Sequence, residues 1–367
     1  MSNTLGIRGF DFVELYVGSA KMVAYWYAKA LGFDIEGYSG PEYGNKTQVS
    51  YFLKKNNLKF VITSFTKPEN YEVSSFVIKH GDGVKKFSYL VDDVEKAFNY
   101  AYENKAIPIK RPIKIEDENG YIVEASIKAY DDTEIVFINY DNYHGIFKPG
   151  FGKPRQNINI KREETYIEKI DHIVGNVRWH EMDLWVNYFN KSLDFETFVD
   201  FGPGDISTPY SSLLSKVVRS KDNIIKMPVN EPYIGLKKSQ IEEYIQEYNG
   251  SGIQHIAIST NNILKTIEAL RNNGVEFLYV PNTYYEDLRK KNFKIDEDID
   301  DLEKLGILLD FEGEGYLLQL FTKPIGDRPT FFFEFIQRKG KTEGFGHGNF
   351  QALFESIERE QALRGNL

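Results

Sequence analysis

The feature that most limits how this chain can fold is an internal repeat. Phe10-Asp11-Phe12-Val13 matches Ile170-Asp171-His172-Ile173, and Tyr25–Ile35 matches Asn187–Thr197. Gly83-Val84-Lys85-Lys86-Phe87 likewise matches Gly252-Ile253-Gln254-His255-Ile256. Thr133–Ile138 can be laid on Thr330–Phe335, with a slip of one residue in strand phase allowed. Each copy opens on a strand. Gly9–Val17 alternates apolar and polar residues as a half-buried strand does. Ser19 then precedes a helical stretch, Ala20 to Leu31, whose Val23, Trp26, Tyr27 and Leu31 share a face, and Gly32 stops it. Strands follow at 33–38, 46–54 and 58–65. The pattern is βαβββ and occurs four times, twice in each half. One such unit cannot bury its apolar face alone, so the units must pair. The expected class is therefore α+β, with two tandem domains of paired βαβββ modules forming open, barrel-like sheets.

The second module has a strand at Gly83–Val91, a helix at Val94–Asn104 capped by Asp92 or Asp93, and strands at 107–113, 121–129 and 134–140. Residues 144–164 are rich in Gly, Pro and charge and lack periodicity, which is a linker signature. That places an N-terminal domain at 1–150 and a C-terminal domain at 151–367. The third module starts with the strand Ile170–Val177 and the helix Met182–Ser192. The fourth starts with Gly252–Ser259 and a helix capped by Asn261 or Asn262 and running to Asn273. With 41% apolar residues, 15% aromatics and 367 residues, the chain can bury two full cores. A net charge of −9 argues against nucleic acid as a partner. The absence of cysteine excludes disulfides and thiolate metal sites and fits a cytoplasmic setting. The opening residues do not read as a signal peptide, and no apolar run is long enough to cross a membrane.

The two halves differ at three places. The second has His172, His255 and Glu334 where the first has Phe12, Lys86 and about Phe137. Glu334 lies inside Thr330–Ile336, a run of strand-formers in which an ionised carboxylate is costly unless it is paired or metal-bound. Taken alone, Glu334 reads as facing water, and each histidine as an ordinary core residue bonded to backbone. Together, on three strands of one half, they read as the two-histidine, one-carboxylate set that suits Fe(II) and leaves positions open for substrate and dioxygen. His80 and His144 lie in polar, loop-like sequence, His180 precedes a helix, and His347 sits among glycines.

Motifs around these residues occur in a fixed order along the chain. They are Asp171–Val177, Asn230-Glu231-Pro232, Ser251–Ala257, Leu318–Pro324, Phe333–Arg338, Gly344–Phe350 and Arg364–Leu367. On them the chain resembles the 4-hydroxyphenylpyruvate dioxygenase family, within the vicinal oxygen chelate superfamily, over nearly its whole length. The resemblance implies that His172, His255 and Glu334 bind Fe(II). It also implies that Ser215, Asn230, Gln240 and Gln254 form a polar network around the substrate, with Gln319 near the iron. Phe321, Phe332, Phe345 and Phe350 would form an aromatic wall. The implied reaction is conversion of 4-hydroxyphenylpyruvate and O2 to homogentisate and CO2, a step of tyrosine breakdown. The small-molecule 2-oxo acid and O2 would be its partners, with no membrane or nucleic acid, and a homo-oligomer is expected.

Phe350–Leu363 carries apolar residues at 350, 353, 354 and 357 and reads as a helix, with Asn349 as candidate cap and a lid as its expected role. Two alternatives stand beside the main reading. One is 4-hydroxymandelate synthase, which uses the same substrate. The other is a metal-free small-molecule-binding protein of the same superfamily.

Overall fold

The computed structural model describes residues 3–154, 160–202, 208, 210–291 and 294–366. In the first half, β1 (Ile7–Tyr16) leads to α1 (Ala20–Trp26), β2 (Asp34–Ser39), β3 (Gln48–Lys55) and β4 (Leu58–Phe65). Helix α2 (Tyr71–His80) joins these to β5 (Gly83–Val91), α3 (Val94–Glu103), β6 (Pro108–Asp117), β7 (Gly120–Ala129) and β8 (Thr133–Tyr143). The second half repeats the order with β9 (Ile167–Asn176), α4 (Met182–Ser192), β10 (Phe195–Phe201), β11 (Ser212–Ser220) and β12 (Lys226–Tyr233). After α5 (Gln240–Tyr248) come β13 (Gly252–Thr260), α6 (Ile263–Asn272), α7 (Asn282–Lys290) and α8 (Ile299–Leu305). Strands β14 (Leu308–Glu312), β15 (Gly315–Phe321) and β16 (Phe332–Lys339) precede the terminal helix α9 (Phe350–Leu363).

Each half forms one eight-stranded sheet, ordered β2-β3-β4-β1-β5-β8-β7-β6 and β10-β11-β12-β9-β13-β16-β15-β14. Within a module the first and last strands run parallel, and the two modules of a half meet through an antiparallel central pair, β1/β5 or β9/β13. The four expected modules are all present. Helices α2, α5, α7 and α8 are additions to the repeat. The helix expected over 20–31 changes to a wider π-helical turn at Tyr27–Leu31, stopped by Gly32 at φ +86°. A Cβ at Gly32 would lie 2.6 Å from Thr165 Oγ1, so the glycine also lets the second half approach.

Strand pairing sets the repeat register. Lys86 lies opposite Glu134 as His255 lies opposite Phe332, so the counterpart of Glu334 is Val136, one residue before Phe137. The described part of the 144–164 segment also departs from a free linker. Gly152 exchanges two 2.9 Å backbone hydrogen bonds with Tyr38, and Phe147 stacks on Phe52 at 4.3 Å. The first barrel is thereby filled with Phe12, Phe52, Val61, Ile122, Val136 and Phe147, leaving hydrocarbon at the places equivalent to His172 and Glu334. His80 is no loop residue. It ends α2, fully buried, with Nδ1 2.7 Å from the Tyr248 carbonyl and Nε2 2.9 Å from Asp132.

The two halves share a continuous apolar core. Phe333 is central to it, fully buried, with its ring 5.8 Å from Tyr27 and 5.9 Å from Phe60 of the first half. The two sheets nevertheless divide between β8 and β9, and on that basis we propose the unit boundary near residue 150. Phe333→Ala should cost about 3–5 kcal/mol, as large core truncations do. Urea unfolding followed at both halves should show one shared transition moved to lower urea; a shift confined to the second half would contradict the shared core.

Candidate metal centre and its cavity

Alternation along β16 decides the phase of Glu334. Phe333 and Phe335 turn into the common core, while Phe332 and Glu334 turn into the concave face of the second sheet. Glu334 lies on the strand beside β13, and β13 in turn pairs with β9, so His172, His255 and Glu334 come from three adjacent strands. Their donor atoms lie within 4.8 Å of one another, and all three residues are buried. Glu334 Oε2 is 3.2 Å from His172 Nε2 and 3.4 Å from His255 Nε2. Glu334 Oε1 is buried with no hydrogen-bond partner among the described residues.

Two β-bulges make this geometry. The β9/β13 register slips at Asp171 and again at Gln254, the residue preceding each histidine. A bulge re-aims side chains and lets neighbours in sequence share a face. Asp171 Oδ1 therefore sits 2.8 Å from His172 Nδ1, and Gln254 Oε1 3.0 Å from His255 Nδ1. With Nδ1–H donating to these oxygens, each ring turns its Nε2 toward the carboxylate. The donor set, two imidazoles and a carboxylate with one orphaned oxygen, fits a divalent transition metal bound through three protein ligands.

Burial works against ionising Glu334, yet the two histidines hold its carboxyl down to about 2. Burial also lowers His255, which stays neutral and ready to ligate. His172 differs: against burial, Glu334 and Asp171 raise it, so in the metal-free protein it tends to keep its proton. A metal must displace that proton.

The trio opens onto a cavity of about 70 Å³. Ser215 on β11 and Asn230 on β12 pair across the ladder, and Gln240 opens α5; all three line the cavity, as does Gln254. Phe321, Phe332, Phe345 and Phe350 line it too. Phe332 stacks on His255 at 4.8 Å, and Phe345 meets His172 edge-on at 5.0 Å. Gln319 stands apart from the lining. It lies fully buried on β15 against Gly346, with neither amide atom hydrogen-bonded among the described residues. Sequence reading missed Phe201, Leu213 and Ile241 in the lining, and it missed the bulged Asp171 as a partner of His172. The apolar stripe of α9 did signal Leu353 and Phe354, which close the cavity from above. Asn349 does not cap α9; its side-chain oxygen accepts from Tyr284 Oη at 2.8 Å. Leu367, the last residue of the tail motif, lies outside the described residues.

Fold and site together define a class. A family model described as the Glyoxalase/Bleomycin resistance protein/Dioxygenase superfamily matches residues 169–320. The structure aligns with a triple mutant of 4-hydroxymandelate synthase from Streptomyces coelicolor at TM-score 0.85 and 24% identity, covering 98% of this chain and 100% of that one, a likeness of fold. Sequence relatives are more specific. A 4-hydroxyphenylpyruvate dioxygenase from Coccidioides posadasii (strain C735) is 44% identical over 98% of this chain and 94% of its own length. One from Dictyostelium discoideum is 42% identical over 98% and 100%, and one from Danio rerio 43% over 98% and 92%. This chain belongs to the 4-hydroxyphenylpyruvate dioxygenase family. Among the described residues, no helix is long and apolar enough to cross a membrane.

Because His172 carries a raised pKa, divalent-metal affinity should fall as pH drops. The loss should begin above the ordinary imidazole range and approach about tenfold per pH unit. Anaerobic titration with Fe(II) or Co(II) between about pH 8 and about pH 6 checks this; a flat profile would remove the proton competition.

Proposed function

We propose that this chain is an Fe(II)-dependent dioxygenase that converts 4-hydroxyphenylpyruvate and O2 to homogentisate and CO2. One observation carries the reading. Two imidazoles and an ionised carboxylate converge at the floor of an aromatic-walled cavity, in a chain whose near-full-length relatives bear that name. His172, His255 and Glu334 would hold the metal. Bound there, Fe(II) supplies a seat for the two oxygens of the 2-oxo acid and the means of activating dioxygen.

The protein's own residues have three tasks in this proposal. Phe321, Phe332 and Phe345 flank the ligand histidines and keep bulk water from the reacting centre. Ser215, Asn230 and Gln240 cluster on β11, β12 and the start of α5, where their polar atoms can orient the substrate's oxygens. Gln254 steers His255 through Nδ1. The phenol ring would lie along the aromatic wall, so that its side-chain-bearing carbon faces the metal and the side chain can shift to the neighbouring carbon. Atoms balance: the substrate's own carboxylate leaves as CO2, one oxygen of O2 enters the new carboxylate at the former keto carbon, and the other becomes the new ring hydroxyl.

The free volume is small against the roughly 300–1,000 Å³ of ordinary ligand clefts. Substrate entry therefore needs Phe350, Leu353 and Phe354 to withdraw, which makes α9 a lid. Incubating the Fe(II)-loaded protein with 4-hydroxyphenylpyruvate should give homogentisate and CO2; 4-hydroxymandelate as main product, or turnover that persists after metal removal, would overturn the proposal. Deleting residues 344–367 should leave the far-ultraviolet dichroism of the sheets and lower homogentisate formation by about a hundredfold, as loss of positioning does. Full activity in that truncation would defeat the lid.

A further inference from the structure

The ligand histidine His172 is fastened differently from His255. Its Nδ1 partner is a carboxylate, and that carboxylate is itself gripped. Arg338 Nε and Nη2 reach Asp171 Oδ2 and Oδ1 at 2.9 and 2.8 Å, a two-pronged contact, while Arg338 Nη1 donates to the Gly344 carbonyl at 2.6 Å. Asp171 and Arg338 side chains are only 13% and 18% exposed, so little solvent loosens the pair. Such forked contacts fix orientation as well as charge.

The first half supplies an internal comparison. Asp11 occupies the same bulge on β1, where the β1/β5 register slips between Phe10 and Val13. Its carboxylate takes the Tyr140 hydroxyl at 2.9 Å and the Lys59 ammonium. By strand register Tyr140 stands where Arg338 does. The bulged aspartate is thus a property of the fold, present with or without a ligand beside it. The forked arginine occurs on the half that carries the histidine, and the Asp11 neighbour is Phe12, which has no nitrogen to orient.

We propose that Asp171 and Arg338 are positioning residues for the metal centre: Asp171 holds His172 with Nε2 toward the metal, and Arg338 ties that orientation to the seating of the C-terminal segment through Gly344. Rotation of the Asp171 carboxylate would release the His172 tautomer, and the two Arg338 contacts prevent it. The third contact places Gly344 one residue before Phe345, whose ring packs on His172. One guanidinium therefore touches both the carboxylate that orients His172 and the segment leading into Phe345, a segment Glu312 holds from the other side through the Glu343 and Gly344 amides. This inference rests on the metal reading of the site.

The test uses the full chain and Co(II) or Fe(II) alone as probe, under anaerobic conditions. Asp171→Asn keeps shape but removes the charge. Arg338→Gln removes the fork. Asp11→Asn makes the same bulge change where no ligand lies and reports the purely structural cost, with thermal unfolding of the metal-free proteins measured alongside. Asp171→Asn and Arg338→Gln should each weaken metal binding about 10- to 100-fold and alter the visible Co(II) spectrum. Asp11→Asn should stay within about threefold of the parent. Arg338→Gln should also speed amide exchange over residues 344–350. Asp171→Asn binding Co(II) like the parent, or Asp11→Asn losing affinity equally, would overturn the inference while leaving the metal site standing. A parent protein that binds neither metal would overturn the metal reading itself.

Discussion

A carboxylate buried beneath phenylalanines is the constraint on which the second half of this molecule depends. Leaving Glu334 ionised and unpaired would cost several kcal/mol. The protein instead points two Nε2 atoms at one of its oxygens and leaves the other without a donor among the described residues. Without metal, the arrangement survives by keeping a proton on His172, the histidine with a second carboxylate behind it. With metal, one dication would take the place of that proton and use the orphaned oxygen. The same three side chains thus have a tolerable metal-free state, and a bound metal would give the orphaned oxygen a partner. Folding then need not wait for the ion.

The duplicated fold shows how little separates a site from a core. Both halves keep the bulged aspartate and the antiparallel central pair. In the first, phenylalanine and valine stand at two of the ligand places, and Phe147 from the connecting segment stacks into the barrel. At the third, Lys86 turns its ammonium to Glu14 at 3.4 Å. A lysine there supplies locally the positive charge that a metal would supply in the second half. The apolar filling contributes stability through area removed from water. The second half gives up that filling to keep a cavity, and the shared core around Phe333 packs the first half behind it.

Much of this was legible in the sequence, for physical reasons. Period-two and period-3.6 patterns are local, so β4 at 58–65, β5 at 83–91, α4 and α9 were bounded to the residue. The repeat placed His172 and His255 on equivalent strands without any spacing rule. The rest depended on contacts that no local pattern encodes. Bulges at Asp171 and Gln254 shift pairing by one residue and leave composition unchanged, so the Nδ1 partners of both ligands were invisible. The same one-residue ambiguity set Phe137, in place of Val136, against Glu334. His80 looked like a loop residue because its burial comes from Tyr248 and Asp132, far away in sequence. Gln319 shares a strand with Phe321, but Gly346 lets the tail lie over it, and it is not among the residues lining the cavity.

Rigid and movable parts of the site are built from different interactions. His172, His255 and Glu334 sit on the interior strands β9, β13 and β16, and Phe321 and Phe332 on β15 and β16. The roof is one helix, fastened at its rim by polar contacts. Arg364 grips Glu243 of α5 at 3.2 and 2.8 Å, Glu358 accepts from Thr208 and Ser211, and Ser356 donates to the Tyr279 carbonyl. Water can replace such bonds at modest net cost, about 0.5–1.5 kcal/mol each for neutral pairs and more for charged ones. Burial of Leu353 and Phe354 draws the helix back. The candidate ligands thus sit on strands and the roof on a helix held by exchangeable bonds, with Arg338 touching both sides through Asp171 and Gly344. Arg364 also fastens the roof to Glu243 on α5, the helix that begins with Gln240.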